Sequence, residues 1–551
     1  MTVPGLLITI SMTMAGAQAP PMQHPHESGR PPQQLGTVTF ENSCDPALRG
    51  EMNRAVALLH SFWFGASATA FSAIGEKDPG CGIAWWGVAM SRWGNPFAPS
   101  RPVAALQQGS EAIAKARAAG ARTDRERALI EAAAALFTDY DKVDHRTRTV
   151  NYERAMQGVH EKHPQDDEIA AFYALAVNQT AIPTDKKYAQ QLKAAAILEK
   201  LFARMPDHPG AAHYLIHAYD HPPLAEKALP AARRYAKVAP DAPHALHMPS
   251  HTFTRVGHWD DSIATNLASA EAARKANSPA EVLHAFDYQV YAYLQTAQDA
   301  AATRVLSELK TLVGSVNTAE QYGQVGYYAD AAIPARIALE RGAWSEAVAL
   351  ATRATSFPFI DAITHFARAV GAARAGNPAA AAADAARLGD LRDALLKNKD
   401  EYWAQQVQIQ HTGALAWIAF AEGRDDDAVR LMRDAAGLED STDKSAISPG
   451  PIAPAREMLG EMLIQLKRGP EALTELEAVM KKEPNRFRTL YQAAQAASLA
   501  GDQAKAGRYF SELVKMCPKG DASRAELADA RDKVPKGSKG FQRVPVGSRG
   551  Q

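Results

Sequence analysis

Cysteine is scarce, with three in 551 residues, and none lies near the chain's main histidine cluster, which disfavours a thiolate-built structural zinc site there. An excess of charge is lacking too: 61 basic residues balance 61 acidic ones, and no basic stripe is interleaved with aromatics. A nucleic-acid partner is therefore not expected. Long apolar runs are confined to the extreme N-terminus, whereas a spanning helix needs about 20 apolar residues in succession. No transmembrane segment is expected beyond that point. Alternating strand patterns are missing. So are a phosphate-cradling glycine loop and the HExxH pair of zinc proteases.

What is present is helical periodicity, almost without interruption from Pro46 onward. PALRGEMNRAVALLHSFWFGASATAFSAIGEKDPG reads as two amphipathic helices ending near Asp78, and CGIAWWGVAMSRWG opens a third, with small Gly87 and Ala89 at crossing points. Trp85, Trp86 and Trp93 read as packing residues, and GNPFAPSRP as a longer loop. Near the C-terminus Leu459-Gly460, Ala472 and Pro484 carry the repeat spacing, and a shift of 34 puts Ala506 opposite Ala472 and Pro518 opposite Pro484, with Phe510 at an aromatic place. On these residues the chain resembles the tetratricopeptide-repeat family, well for the last two repeats and loosely from about residue 50 to 520. The fold expected from that resemblance is all-α, a superhelical solenoid of tetratricopeptide-like helix pairs. The segments HYLIHAYDHP, HALHMPSHTF and DPGCGIAWWG are similar to exported bacterial repeat proteins of unassigned function, a likeness that brings a pattern but no activity.

Histidine is where chemistry concentrates. His213 and His217 are four apart, as are His247 and His251, and the second pair follows the first by 34 residues. Two imidazoles at that spacing share one helix face, a common way to offer two nitrogens to one metal ion. The resemblance places His213, His217, His244, His247, His251 and His284 on successive first helices, which line the concave groove in such repeats. Phe172 and Ala176 stand at the matching places of the preceding unit, so the histidines are an addition to the scaffold. Pro243 and Pro249 bracket HALHM, and a kink there would re-aim side chains. Asp220 and Asp287 are candidates to assist proton transfer, to join the ligands, or to fix a ring nitrogen.

A set of imidazoles suits a transition metal, copper or iron slightly before zinc. The primary reading is a metal-dependent enzyme, oxidative or hydrolytic, with a small-molecule or peptide substrate in the groove. Plainer readings stand beside it. The rings could hydrogen-bond inside an alanine-rich bundle, or line a metal-free groove that recognises an anionic or aromatic ligand, and the chain as a whole could be a non-catalytic scaffold that binds a peptide or protein partner. Convergence of the rings favours metal; burial with each nitrogen on a backbone carbonyl favours scaffold. His60, His221, His365 and His411 read as ordinary helix residues.

Organisation follows. MTVPGLLITISMTMAGAQAPP reads as a signal peptide cut after Ala17, although no Lys or Arg precedes the apolar run, so a periplasmic or secreted location is expected. Residues 18–45 read as a flexible leader, 46–440 as a divergent solenoid carrying the histidines, 441–454 as an insertion loop, 455–520 as two regular repeats and 533–551 as a basic disordered tail. Cys44 and Cys81 flank the first helical unit, placed either for one disulfide worth about 3 kcal/mol or as two buried thiols.

Overall fold

Helix boundaries follow local chemistry throughout. Thr123 and Glu126 form a reciprocal capping box at the start of Asp124–Ala134, while Asp144 and Asp166 cap the helices His145–Lys162 and Asp167–Gln179. Proline opens the helices Pro209–Ala218, Pro243–His247, Pro249–Arg255 and Pro279–Gln295, where its missing N–H costs nothing. The computed structural model describes residues 33–98, 101–316 and 319–534, and no strand occurs among them. The signal-peptide reading of 1–17, the leader up to residue 32 and the tail from 535 lie outside the described residues.

Helices pair antiparallel and stack, which makes the fold an all-α tetratricopeptide-like solenoid. The regular C-terminal pairs are Ala455–Gln465 with Gly469–Lys482 and Phe487–Leu499 with Gln503–Met516, and the repeat positions Ala472, Ala506 and Phe510 are buried in their core. Gly87 lies against the Phe71 ring, where a Cβ would come within 2.4 Å of it. This close crossing fits the small-residue pattern. Irregularity appears in RGAWSEAVALATRA, whose second helix is only Trp344–Val348, after which the chain runs without helix to Phe357.

Two segments behave differently from their sequence reading. From Gln34 the leader is packed: Leu35, Val38, Phe40 and Cys44 belong to the first hydrophobic core, and Phe40 stacks on Trp86. Cys44 and Cys81 form a disulfide. The insertion at 441–454 does more than separate repeats. It returns as a strap into the superhelix, with Thr442, Asp443, Ser448 and Ile452 buried. Arg336 pins it through Ser448 Oγ at 2.9 Å and the Gly450 and Pro451 carbonyls at 3.0 and 2.9 Å.

The C-terminal repeats also fold back on the middle of the chain. Trp259 Nε1 donates to the Asn485 carbonyl at 2.7 Å, Asp521 N to the Ala297 carbonyl at 2.8 Å, and Arg524 to the Glu340 carbonyl at 2.8 Å. Gly257, with φ of 69°, lets this contact form, since a Cβ would meet the Pro484 carbonyl at 2.6 Å. Buried Arg486 joins Glu457 at 3.0 Å, Glu340 at 3.2 Å and the Tyr291 hydroxyl at 2.6 Å.

Candidate metal centre

Three first helices converge at the point where this closure begins. Pro209–Ala218 carries His213 and His217 one turn apart, and Pro279–Gln295 carries His284. Between them the helix is interrupted at Met248, because Pro249 has no N–H to continue the ladder, with His247 before the break and His251 after it. The rings still meet: His247 Nε2 and His251 Nε2 lie 3.1 Å apart, as do the Nε2 atoms of His213 and His217.

Donor atoms of His213, His217 and His244 all lie within 4.8 Å of one another, and the same holds for His247, His251 and His284. The two trios adjoin, with ring centroids 6.0 Å apart for His217 and His251 and 6.1 Å for His244 and His247. All six candidate histidines therefore come together, yet not along an open groove. His213, His217, His247, His251 and His284 are buried, and His244 is half-buried.

In three of the six rings the opposite nitrogen is fixed by a partner. His213 Nδ1 donates to the His60 carbonyl at 2.6 Å, His247 Nδ1 to Asn266 Oδ1 at 2.7 Å, and His251 Nδ1 to Asp220 Oδ2 at 2.9 Å. Asn266 is itself oriented, because its Nδ2 donates to the Ser262 carbonyl at 2.7 Å. These bonds place the single proton of each neutral ring on Nδ1 and leave the Nε2 lone pairs turned inward. Burial lowers His213, His217 and His247 well below the ordinary imidazole range, and His284 to about 3. Neutral rings with free lone pairs are the form a metal ion takes.

The two carboxylates occupy different places. Asp220 touches His251 and binds Arg255 Nε at 2.8 Å, with Lys444 Nζ at 3.6 Å. Burial pushes its carboxyl up, but Lys444, Arg255 and His251 hold it well below the usual carboxylate range. Asp287 meets none of the six rings. It pairs with Arg336 at 2.8 Å and so anchors the residue that pins the strap. The strap covers the site through Tyr288, whose hydroxyl donates toward the Ala446 and Ser448 carbonyls at 3.2 and 3.1 Å and stands 3.4 Å from His251 Nε2.

Several neighbours escaped the sequence reading. Glu281, 3.9 Å from His244, follows His247 by 34 residues and holds the equivalent place in the next repeat, so the period itself could have found it. Asn266, Asp443 and Lys444 carry no such signal. His60 supplies its carbonyl to His213, while its ring joins Glu168 at 2.7 Å and the Tyr214 hydroxyl at 2.8 Å. His208 completes that cluster at 3.1 Å from Glu168 and caps its helix by accepting from Ala211 N. Every ring nitrogen there has a protein partner, as in a structural cluster. His221 pairs with Asp443 and His365 with Asp384, also as structural residues do.

Beside His217 a cavity of about 330 Å³ opens, lined among others by Phe97, Asn178, Asp220, Trp403 and Lys444. No helix among the described residues is long and apolar enough to cross a membrane.

No protein-family model matches the chain, and no curated protein matches it. Among solved structures, a monomeric IFIT1 mutant with Gppp-AAAA is similar at 11% identity, covering 79% of this chain and 90% of that one with a TM-score of 0.37. The human IFIT1 dimer with m7Gppp-AAAA is similar at 10% identity, covering 86% and 96% with a TM-score of 0.36. The APC/C hetero-tetramer Cut9-Hcn1 shows 12% identity over 89% and 96%, with a TM-score of 0.29. Likeness this distant carries no argument about the site.

Proposed function

We propose that the protein is an exported metal-dependent enzyme, oxidative or hydrolytic, holding one or two transition metal ions in its adjoining histidine trios. The observation that carries this reading is the pair of facing Nε2 atoms in His247 and His251, 3.1 Å apart with both Nδ1 atoms committed as donors. Two buried lone pairs at that distance repel unless a cation lies between them. A proton is disfavoured there by burial, whereas 3.1 Å falls within the span of two nitrogen ligands each ~2.0–2.1 Å from one ion. Three imidazoles per trio leave coordination positions free, so a bound ion would supply Lewis acidity or electron transfer toward a substrate. The all-nitrogen donor set supports copper or iron slightly before zinc.

The chain's own residues do the rest. Asn266, Asp220 and the His60 carbonyl fix the ring tautomers, and Asp220 acts through His251 rather than directly on a substrate. Tyr288 and the strap exclude water from above, and the cavity beside His217 gives a small molecule access. The disulfide between Cys44 and Cys81 supports export, since such bonds persist in oxidising compartments.

A second reading, a non-catalytic helical-repeat scaffold for a peptide or protein, is favoured by the burial of the rings and by the His213 bond to a backbone carbonyl. Metal content by plasma mass spectrometry separates the two, on protein purified without a metal-affinity tag and exposed to copper, iron and zinc. Near-stoichiometric metal that is lost in His247→Ala/His251→Ala, with helicity retained, supports the enzyme. Absence of metal from both proteins sinks it and leaves the scaffold.

A further inference from the structure

The cavity beside His217 has a chemical character of its own. Its apolar wall is largely aromatic and flat, built from Phe97, Tyr402 and Trp403 with Pro183. Phe97 tilts over His217 at 4.4 Å between ring centroids, and Trp403 is held rigidly by stacking on Phe359 at 3.8 Å.

Its charges are paired unevenly. Asp443 has both oxygens engaged, with Lys186 at 2.9 Å and His221 at 3.0 Å. Asp220 has both engaged as well, by Arg255 and His251. Lys444, carried into the site by the strap, is different. Its side chain is 8% exposed, and its ion pair with Asp220, at 3.6 Å, is longer than a hydrogen bond, so its ammonium N–H groups have no acceptor in the protein. Gln179, also lining the cavity, accepts from Trp93 Nε1 at 3.3 Å but leaves its own buried amide N–H without a partner. Unmet buried donors are costly, and a ligand or an ordered water meets them.

We propose that this cavity is a binding site for a small aromatic carboxylate, its flat ring between the aromatic walls and its carboxylate on Lys444 and the Gln179 amide. One buried ammonium and one neutral amide match a monoanion; Arg146 also lines the cavity but is exposed, and the carboxylates of Asp220, Asp400 and Asp443 on the same lining disfavour a dianion. A volume of about 330 Å³ accommodates a ligand of one or two rings. The site rests on the metal reading only for what the ligand is delivered to, because His217 forms its inner wall. The pocket itself stands without metal.

Isothermal titration of the full chain with benzoate, benzamide and inorganic phosphate, on chelator-treated protein and again after metal loading, tests this. The expected result is benzoate binding to the metal-free protein at least tenfold more tightly than benzamide, with phosphate weaker still. Lys444→Met should abolish the benzoate preference. Ala181→Phe, at a half-buried loop position on the cavity wall, should block benzoate while leaving the helical spectrum unchanged, which keeps the test independent of any effect of Lys444 on the strap. Equal affinity for benzoate and benzamide, or no binding of either, overturns the proposal. Benzoate binding in a protein that takes up no metal retains the pocket and removes the metal centre; metal uptake without benzoate binding does the reverse.

Discussion

The carboxylate of Asp220 accepts the Nδ1 proton of His251 at 2.9 Å, from a position 31 residues earlier in the chain. One oxygen orients the ring while the other is held by Arg255. Removing such an orienting partner commonly costs a metal site 10- to 100-fold in affinity. Asp220→Ala and Asn266→Ala are each expected to weaken metal binding by about that factor while the protein stays helical. Competition against a chelator of known affinity, with circular dichroism as control, checks this; unchanged affinity in both variants would show that these bonds do not tune the site.

Arg486 is the largest charged anchor of the closure, buried between Glu457 and Glu340. Removing the cation shared by two buried carboxylates, of which Glu457 keeps Thr489 and Arg488 as partners, should cost about 3–5 kcal/mol, so Arg486→Met should unfold at markedly lower urea concentration. Adding Glu457→Gln should recover part of the loss, because it removes one uncompensated charge. Urea titrations of the single and double variants measure both terms.

The disulfide ties the packed leader to the third helix across a separation of 37 residues. Cys44→Ser/Cys81→Ser should lose about 4 kcal/mol by loop-closure entropy. Thermal melts of wild type should move toward those of the variant on adding reductant, and the variant should not respond to reductant at all.

Glu439 gives a pH signature. Burial raises its carboxyl from 4.5 to about 7, beside Glu483 and Asp440. A carboxyl with a raised folded pKa contributes fully to stability below its unfolded value and loses that contribution as pH rises through the folded one. Stability should therefore fall between pH 5 and 7 more steeply in wild type than in Glu439→Gln, by about 2 kcal/mol across the window. Parallel pH–stability curves for the two proteins would refute this.

The histidine pairs were legible in the sequence because two periods coincide there: four residues sets the helix face and 34 sets the next repeat. Pro249 was legible as a break for the same local reason. Glu281 lay on the 34-residue grid but is acidic, so a search for repeated histidine passes over it. Asn266, Lys444 and Asp443 were not legible. They reach the site from a second helix and from a strap more than 200 residues away from His217, and periodicity reports only neighbours along a helix or between adjacent repeats. The same limit hid the closure of Trp259 on Asn485. In the leader, Leu35, Val38 and Phe40 were masked by surrounding proline and glutamine, although they bury in the core.

That closure changes how the chain acquires its structure. An open repeat array can nucleate at any unit and spread to its neighbours, so its stability is close to a sum over adjacent units. Here the helix Trp259–Lys275 meets its last partner only when residues near 485 and 519 arrive, a contact of high sequence separation whose closure entropy precedes its reward. The strap that covers the imidazoles comes from the same late portion. During synthesis Tyr288 and His251 therefore lack their cover until residues 446–448 emerge, so the interval before the strap docks is when this end of the histidine cluster is open to the ions around it.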